Sequence, residues 1–215
     1  MSDIIPPVFA ALDEAKAKTL FKEVQRKPFP KGSFVIHSGD QSDWFYLILS
    51  GRVKIVIPDQ EGKEVILSIL GPGDHFGEFS LIDGKPRSAS VVTMEESTLL
   101  LVSKERFREC LDNNPDIAVR VMVSLTHRLR DADRKIEGLA LRDVYSRLAR
   151  TLSELATERD GKFILSQRLT HQDLASMIGA SREMITRILS DLAVCGYISV
   201  ENREITLLKK LPQTW

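Results

Sequence analysis

Two cysteines, Cys110 and Cys195, are all that a chain of 215 residues carries, which excludes a disulfide framework and leaves too few thiolates for an iron–sulfur cluster or a cysteine-ligated zinc. The four histidines, His37, His75, His127 and His171, share no metal-ligand spacing, so no metal or covalent cofactor is expected. No apolar run approaches the ~20 residues of a membrane helix. The opening MSDIIPPVFAALDEAK also lacks the basic-then-apolar order of a secretory signal; a cytoplasmic protein with no membrane partner is the expectation. Net charge is missing too: 30 Lys and Arg stand against 30 Asp and Glu, so attraction to a polyanion has to come from a local patch. There is no Walker loop and no nucleophile and base at a recognisable spacing, which points to a binding protein rather than an enzyme. What remains is ordinary, 43% hydrophobic and 28% charged, and long enough for two modest cores.

A short helical pattern over Ile5 to Gln25 gives way at KPFPKGSFVIHSGDQSDWFYLILSGRVKIVIPDQ. There, short β-branched and aromatic runs alternate with Gly, Asp, Ser and Pro clusters, the signature of a sandwich or barrel. A β-roll is expected over about Phe29 to Val102. At NNPDIAVRVMVSLTHRLRDADRKIEGLALRD the character changes again, with Asn114 as N-cap, Pro115 in the first helical position and Asp116 in the first turn. Ala118, Met122, Leu125, Leu129, Ala132, Ile136 and Leu139 recur at alternating steps of four and three, an unbroken heptad seam that predicts a parallel two-helix dimer; packing on the helix's own domain is the alternative. With Met122, Leu129 and Ile136 at a, Arg128 falls at g and Asp133 at e, positions that meet across such a dimer. Gly138, near the helix end, and Asp143, a cap beyond it, bracket the expected hinge.

The sequence DVYSRLARTLSELATERDG reads as a further helix. In QRLTHQDLASMIGASREMITRILSDLAVCGYISVENREITLL, Thr170 and Asp173 have capping-box spacing. Leu174 and Ile178 supply a buried face, Gly179 a turn, and Ser181 the cap of a second helix with Ile185, Ile188 and Leu189 inward. That is a helix-turn-helix, and GYISVENREITLL alternates around Asn-Arg as a two-stranded wing would. Arg182, Glu183, Thr186 and Arg187 are left exposed on the second helix, where Arg can pair with guanine and Glu can accept from cytosine. Thr170, His171, Gln172 and Ser181 are placed for phosphates. Double-stranded DNA is the expected partner.

Over nearly its whole length the chain resembles the cyclic-AMP receptor protein and FNR family of bacterial transcription regulators. Its N-terminal region is similar to that family's cyclic-nucleotide-binding roll, its heptad helix to the dimerisation helix and its C-terminus to the winged helix. GASREMITRIL is close to the recognition helix of the cyclic-AMP receptor branch. The resemblance implies an α+β fold with a sensor β-roll over 1–112, a dimerisation helix over 113–141 and a winged helix-turn-helix over 142–215. It further implies a homodimer, a TGTGA-like palindromic operator read by Arg182, Glu183 and Arg187, and RNA polymerase as a partner. Thr186 stands where that branch carries a smaller residue.

The family's phosphate-binding cassette has a Gly-Glu pair followed by Arg-Ser or Arg-Thr. In FGEFSLIDGKPRSAS, Gly77 and Glu78, then Arg87 and Ser88, match it. The chemistry agrees: a guanidinium grips a cyclic phosphodiester with two charge-assisted bonds, Ser88 adds a hydroxyl, and N–H groups of Gly77, Glu78, Phe79 and Ser80 complete the cradle. Glu78, an acceptor when ionised, suits a ribose 2′-OH. A Glu78–Arg87 ion pair that only closes the loop is the alternative. On the dimer helix the positions implied to lie beside the base are Ala132 and Asp133, where the cyclic-AMP branch has hydroxyl residues. Asp133 can accept from guanine, favouring cyclic GMP or cyclic di-GMP over cyclic AMP, or it can pair with Arg128 of the partner subunit. A regulator with a vestigial pocket, binding DNA without nucleotide or sensing another signal, is the remaining alternative.

Overall fold

A computed structural model describes residues 24–59, 63–165, 169–201 and 204–212. The chain divides into two compact units, residues 1–129 and 130–215, within one long helix. In the first unit the described residues form β1 (Gln25–Phe29), β2 (Phe34–Ile36), β3 (Trp44–Ser50), β4 (Val53–Pro58), β5 (Glu64–Leu70), β6 (His75–Phe76), α1 (Glu78–Asp83), β7 (Ser90–Thr93), β8 (Ser97–Ser103) and α2 (Lys104–Asn113). Two antiparallel sheets result, ordered β1-β8-β3-β6 and β2-β7-β4-β5. The predicted β-roll is present.

The continuous apolar run of β3, WFYLILS, is explained by burial on both faces. Side chains alternate along a strand. Tyr46 and Ile48 enter the core between the sheets with Ile36, Val53, Leu70, Phe76, Val91, Leu99 and Leu101. Phe45 and Leu47 enter a second core with Leu81, Val102, Phe107, Cys110, Ile117 and Val121. Stacked rings mark both sides, Tyr46 on Phe76 with centroids 4.9 Å apart and Phe45 on Phe107 at 4.6 Å.

The long helix α3 spans Pro115–Leu141. Asn114 precedes it as expected, its carbonyl accepting from Ile117 N at 2.9 Å. Its side chain does a different job, donating to Cys110 O at 2.9 Å to close α2. Helix α2 itself was not expected, and it forms with Ser103 as N-cap. Ile117 and Val121, one turn apart, are buried against the second core, with Leu125 partly buried beside them. Leu125, expected in the dimer seam, therefore packs on its own unit. Met122, Leu129, Ile136 and Leu139 are 57, 63, 65 and 57% exposed, an apolar stripe of the expected period that the described residues leave open.

After Leu141 the second unit forms α4 (Val144–Leu155), β9 (Ala156–Arg159), β10 (Lys162–Leu165), α5 (His171–Ile178), α6 (Arg182–Val194), β11 (Ile198–Glu201) and β12 (Glu204–Leu207). Asp143 caps α4 as expected, accepting from Ser146 N at 2.7 Å. The predicted extension of this helix through ATERDG is wrong. Asp160 and Gly161 both take positive φ, 53° and 74°, and join β9 to β10 as a two-residue hairpin; Asp-Gly between short β runs is the signal for that turn. The expected wing, β11 paired with β12, is thereby extended to a four-stranded sheet, β11-β12-β10-β9. Most of the helical pattern at Ile5 to Gln25 and the Asn-Arg wing turn lie outside the described residues, and Gln25 begins β1. No helix among the described residues is long and apolar enough to cross a membrane.

Candidate functional site

Within the first unit, Gly77 sits between β6 and α1 at φ +88°, where a Cβ would lie 2.8 Å from Arg87 Nη1 and 3.0 Å from Trp44 O. Both the conformation and the space require glycine. The close neighbour is Arg87, which donates from Nη1 to Gly77 O at 2.5 Å and from Nη2 to Trp44 O at 2.5 Å and Ser42 Oγ at 3.0 Å. Its backbone is pinned by Arg87 N to Asp40 O at 2.9 Å and Gly39 N to Arg87 O at 2.8 Å. Burial pulls the guanidinium below the ordinary arginine pKa, with Tyr46, Glu78 and Asp43 acting against it.

Glu78 opens α1, a single helical turn where a loop was expected. It is 1% exposed. Its ion-pair partner is Arg128, Nη1 to Oε1 at 2.7 Å, so the alternative Glu78–Arg87 closure is replaced by a pair whose basic member lies fifty residues away on α3. Arg128 also donates from Nη2 to His75 O. Burial nevertheless raises the Glu78 pKa, more than Arg128 and Arg87 lower it. His75 stacks on Phe45 with ring centroids 5.4 Å apart. Burial first and the Arg128 charge second lower its pKa to about 3, which keeps the ring neutral at any ordinary pH.

Four buried polar atoms here have no hydrogen-bond partner: Glu78 Oε2, Ser80 Oγ, Arg87 Nε and His75 Nε2. Three of them belong to residues singled out from sequence. Gly77, Glu78, Ser80 and Arg87 are thus gathered in one unit, whereas the side chains of Phe79 and Ser88 are exposed. Ala132 and Asp133 are exposed on the part of α3 that belongs to the second unit. Sequence reading missed Ser42, the Trp44 carbonyl and the role of Arg128, because their separations from Glu78 and Arg87 leave no spacing signal; His75, three residues before Glu78, was read only for metal spacing.

The second unit carries the other candidate surface. Thr170 and Asp173 form the expected capping box, Asp173 N donating to Thr170 Oγ1 at 3.0 Å and Thr170 N to Asp173 Oδ2 at 2.9 Å. Gly179 closes α5 in the left-handed region at φ 65°, and Ser181 caps α6 by accepting from Met184 N at 3.2 Å. Ile185, Ile188, Leu189 and Leu192 are buried, which turns Arg182, Glu183, Thr186 and Arg187 outward on one exposed face of α6 with Ser190 and Asp191. Those last two continue the same helical face one turn on and were not anticipated.

Thr170, Gln172 and Ser181 are exposed nearby and His171 is half-buried. His171 Nδ1 lies 2.8 Å from Thr186 Oγ1, tying the first residue of α5 to the exposed face of α6. Arg147 of α4 fixes the turn between the helices, donating from Nε to Ile178 O at 2.9 Å and from Nη1 to Arg142 O at 2.8 Å. No group of three or more His, Cys, Asp or Glu able to hold a metal ion occurs among the described residues.

Two family models match the chain: the cyclic nucleotide-binding domain over residues 26–114 and the Crp-like helix-turn-helix domain over residues 146–211. The chain is 32% identical over 204 residues to the CRP-like cAMP-activated global transcriptional regulator of Mycobacterium tuberculosis, covering 93% of this chain and 91% of that protein. It is 36% identical over 186 residues to the cAMP-activated global transcriptional regulator CRP of Escherichia coli, covering 83 and 87%. Among solved structures it is similar to the c-di-GMP responsive global regulator CLP of Xanthomonas campestris, with a TM-score of 0.79 and 28% identity over 92% of this chain and 100% of that one.

Proposed function

Because the chain belongs to the Crp-like family of transcription regulators, with a cyclic nucleotide-binding domain ahead of a helix-turn-helix domain, we propose that it is a homodimeric regulator whose binding to a palindromic, TGTGA-like operator is switched by a cyclic nucleotide held at Gly77, Glu78, Ser80, Arg87 and Ser88. The observation that carries this reading is the set of unpartnered buried atoms at Glu78 Oε2, Ser80 Oγ and Arg87 Nε. Leaving a buried polar group unpaired costs about 1 to 3 kcal/mol. A cyclic nucleotide offers complementary groups: phosphate oxygens that accept from Arg87 and Ser80, and a ribose hydroxyl that donates to Glu78.

The exposed stripe of Met122, Leu129, Ile136 and Leu139 supports a second copy of α3 as the dimer partner. The family supports DNA as the target and RNA polymerase as the further partner, and the absence of a membrane-spanning helix among the described residues fits a cytoplasmic location. Arg182, Glu183 and Arg187 are proposed to read bases, with Thr170, His171, Gln172 and Ser181 on the backbone. Relatives named for cyclic AMP and for cyclic di-GMP make the base the open variable. The proposed base neighbours, Ala132 and Asp133, enter the test as the comparison of adenine with guanine nucleotides.

Calorimetric titration with cyclic AMP, cyclic GMP and cyclic di-GMP, on the natural sequence and on Arg87→Ala, tests the reading. One nucleotide is expected to bind and to lose its affinity in Arg87→Ala. Failure of all three ends the effector assignment, and undiminished binding in Arg87→Ala ends the phosphate role. A second reading is favoured by Arg128 already neutralising Glu78 and by Arg87 already bonded to two carbonyls: a pocket closed on itself, in a regulator that binds its operator without nucleotide. Operator affinity independent of every nucleotide would select it.

A further inference from the structure

Thr186 is exposed on the face of α6 that also carries Arg182, Glu183, Arg187, Ser190 and Asp191, and its hydroxyl is committed twice. Thr186 Oγ1 donates to Arg182 O at 2.9 Å, one helical turn back, and lies 2.8 Å from His171 Nδ1. A threonine hydroxyl has a single proton. Both contacts are satisfied together when that proton goes to Arg182 O and the imidazole carries its own proton on Nδ1, donating to the hydroxyl. The hydroxyl is then unable to donate to guanine O6 or N7, adenine N7 or thymine O4. With its proton given to the helix and one lone pair taken by His171, the oxygen keeps a single lone pair that can only accept, from adenine N6 or cytosine N4, and the Cγ2 methyl is the other part of the side chain left for a base. Among base-pair edges in the major groove, a methyl finds its complement in the C5-methyl of thymine.

We infer that Thr186 is a thymine-methyl reader in each half-site, with His171 as the positioning residue that holds its hydroxyl out of the groove. This rests on the reading of α6 as the recognition helix and deepens it, since it separates an apolar contact from the charged contacts of Arg182, Glu183 and Arg187. It makes two residues on different helices one specificity element: His171 sets the side-chain rotation, and Thr186 presents the methyl.

The test is fluorescence anisotropy on the full-length protein, bound to a duplex chosen by in vitro selection, with each thymine in turn replaced by deoxyuridine, which removes the 5-methyl and nothing else. Loss of one buried methyl contact corresponds to roughly fourfold weaker binding per half-site. The natural protein is expected to show that penalty at one thymine per half-site. Thr186→Val, which keeps a methyl and loses the hydroxyl, is expected to retain the penalty; Thr186→Ser, which keeps the hydroxyl and loses the methyl, is expected to abolish it. His171→Ala is expected to reduce the penalty at that same position, whatever it does to affinity for all sequences, and His171→Gln, which can still donate, to restore part of it. No deoxyuridine penalty at any position, or a preference kept by Thr186→Ser and lost by Thr186→Val, would overturn the inference while leaving the recognition helix intact. Failure of selection to yield any preferred sequence would remove the recognition-helix reading and the inference together.

Discussion

Replacing Arg128 by alanine removes the ion-pair partner, among the described residues, of a carboxylate that is 1% exposed. The bond from Nη1 to Glu78 Oε1, 2.7 Å, is charge-assisted and contributes about 1.5 to 3 kcal/mol. If Glu78 stayed ionised, the unpaired buried charge would cost about 3 to 5 kcal/mol. It has an escape in taking up a proton, since burial already holds its pKa above the ordinary carboxylate range and loss of Arg128 raises it further. A loss of about 3 kcal/mol at pH 7.5 is therefore expected, a large share of the ~5 to 15 kcal/mol that typically holds a domain folded.

The pH dependence fixes the cause. A carboxylate whose folded pKa lies above its unfolded one binds more protons folded than unfolded. Its folded state therefore loses stability as pH rises from the ordinary carboxylate value through the raised one. The deficit of Arg128→Ala should be large at pH 7.5 and shrink on acidification toward pH 5. His75 works in the same direction, because Arg128 is one of the two causes that depress its pKa. Repeating the substitution in a Glu78→Gln background isolates the charge: there Arg128→Ala should cost less, about 1 to 2 kcal/mol, for the bond to the His75 carbonyl and a bond to the neutral amide oxygen. Urea denaturation followed by Trp44 fluorescence, with Trp215→Phe to silence the second tryptophan, reports on the right unit. Equal losses in both backgrounds, or a loss indifferent to pH, would refute the reasoning.

Other outcomes follow from the same contacts. His75, with its pKa at about 3, binds fewer protons folded than unfolded, so it withdraws stability as pH falls below about 6.5, by about 2 kcal/mol at pH 5; His75→Phe should flatten that acid arm in a denaturation series from pH 7.5 to 5. Gly77→Ala must place a Cβ 2.8 Å from Arg87 Nη1 and 3.0 Å from Trp44 O at a φ of +88°, and is expected to destabilise by more than 1 kcal/mol and to abolish nucleotide binding by calorimetry. Arg182→Ala should weaken specific DNA binding by about 1 to 3 kcal/mol and relax preference at one base pair in a competition assay; uniform loss on all sequences would make Arg182 a phosphate contact.

The parts of the fold readable from sequence were those set by local chemistry. Thr170 with Asp173, Gly179, Ser181 and Asp143 each act within four residues of their partners, and all took their expected places. The hairpin at Asp160 and Gly161 was equally local, but the preceding helical periodicity was carried through it, a period assigned where a turn signal should have ended it. Arg128 shows the other limit. Its heptad position placed it toward a second helix, and only the folded roll brings Glu78 and the His75 carbonyl to it. Gly77, Glu78 and Arg87 were legible because they lie in one short segment, while Ser42 and Trp44, forty-odd residues from Arg87, were not. Leu125 has the period of the seam yet packs against its own unit's core, the alternative that periodicity could not separate from a dimer.

Strand β3 places Tyr46 and Ile48 in one core and Phe45 and Leu47 in the other. Neither core can open without loosening the strand that seals its neighbour, so the roll and the helices behind it melt as one cooperative block. A slip of β3 by a single residue would exchange the contents of both cores at once, which pins the register of this segment. Its backbone carries Trp44 O, an anchor of Arg87, so the guanidinium is held by a strand that both cores clamp.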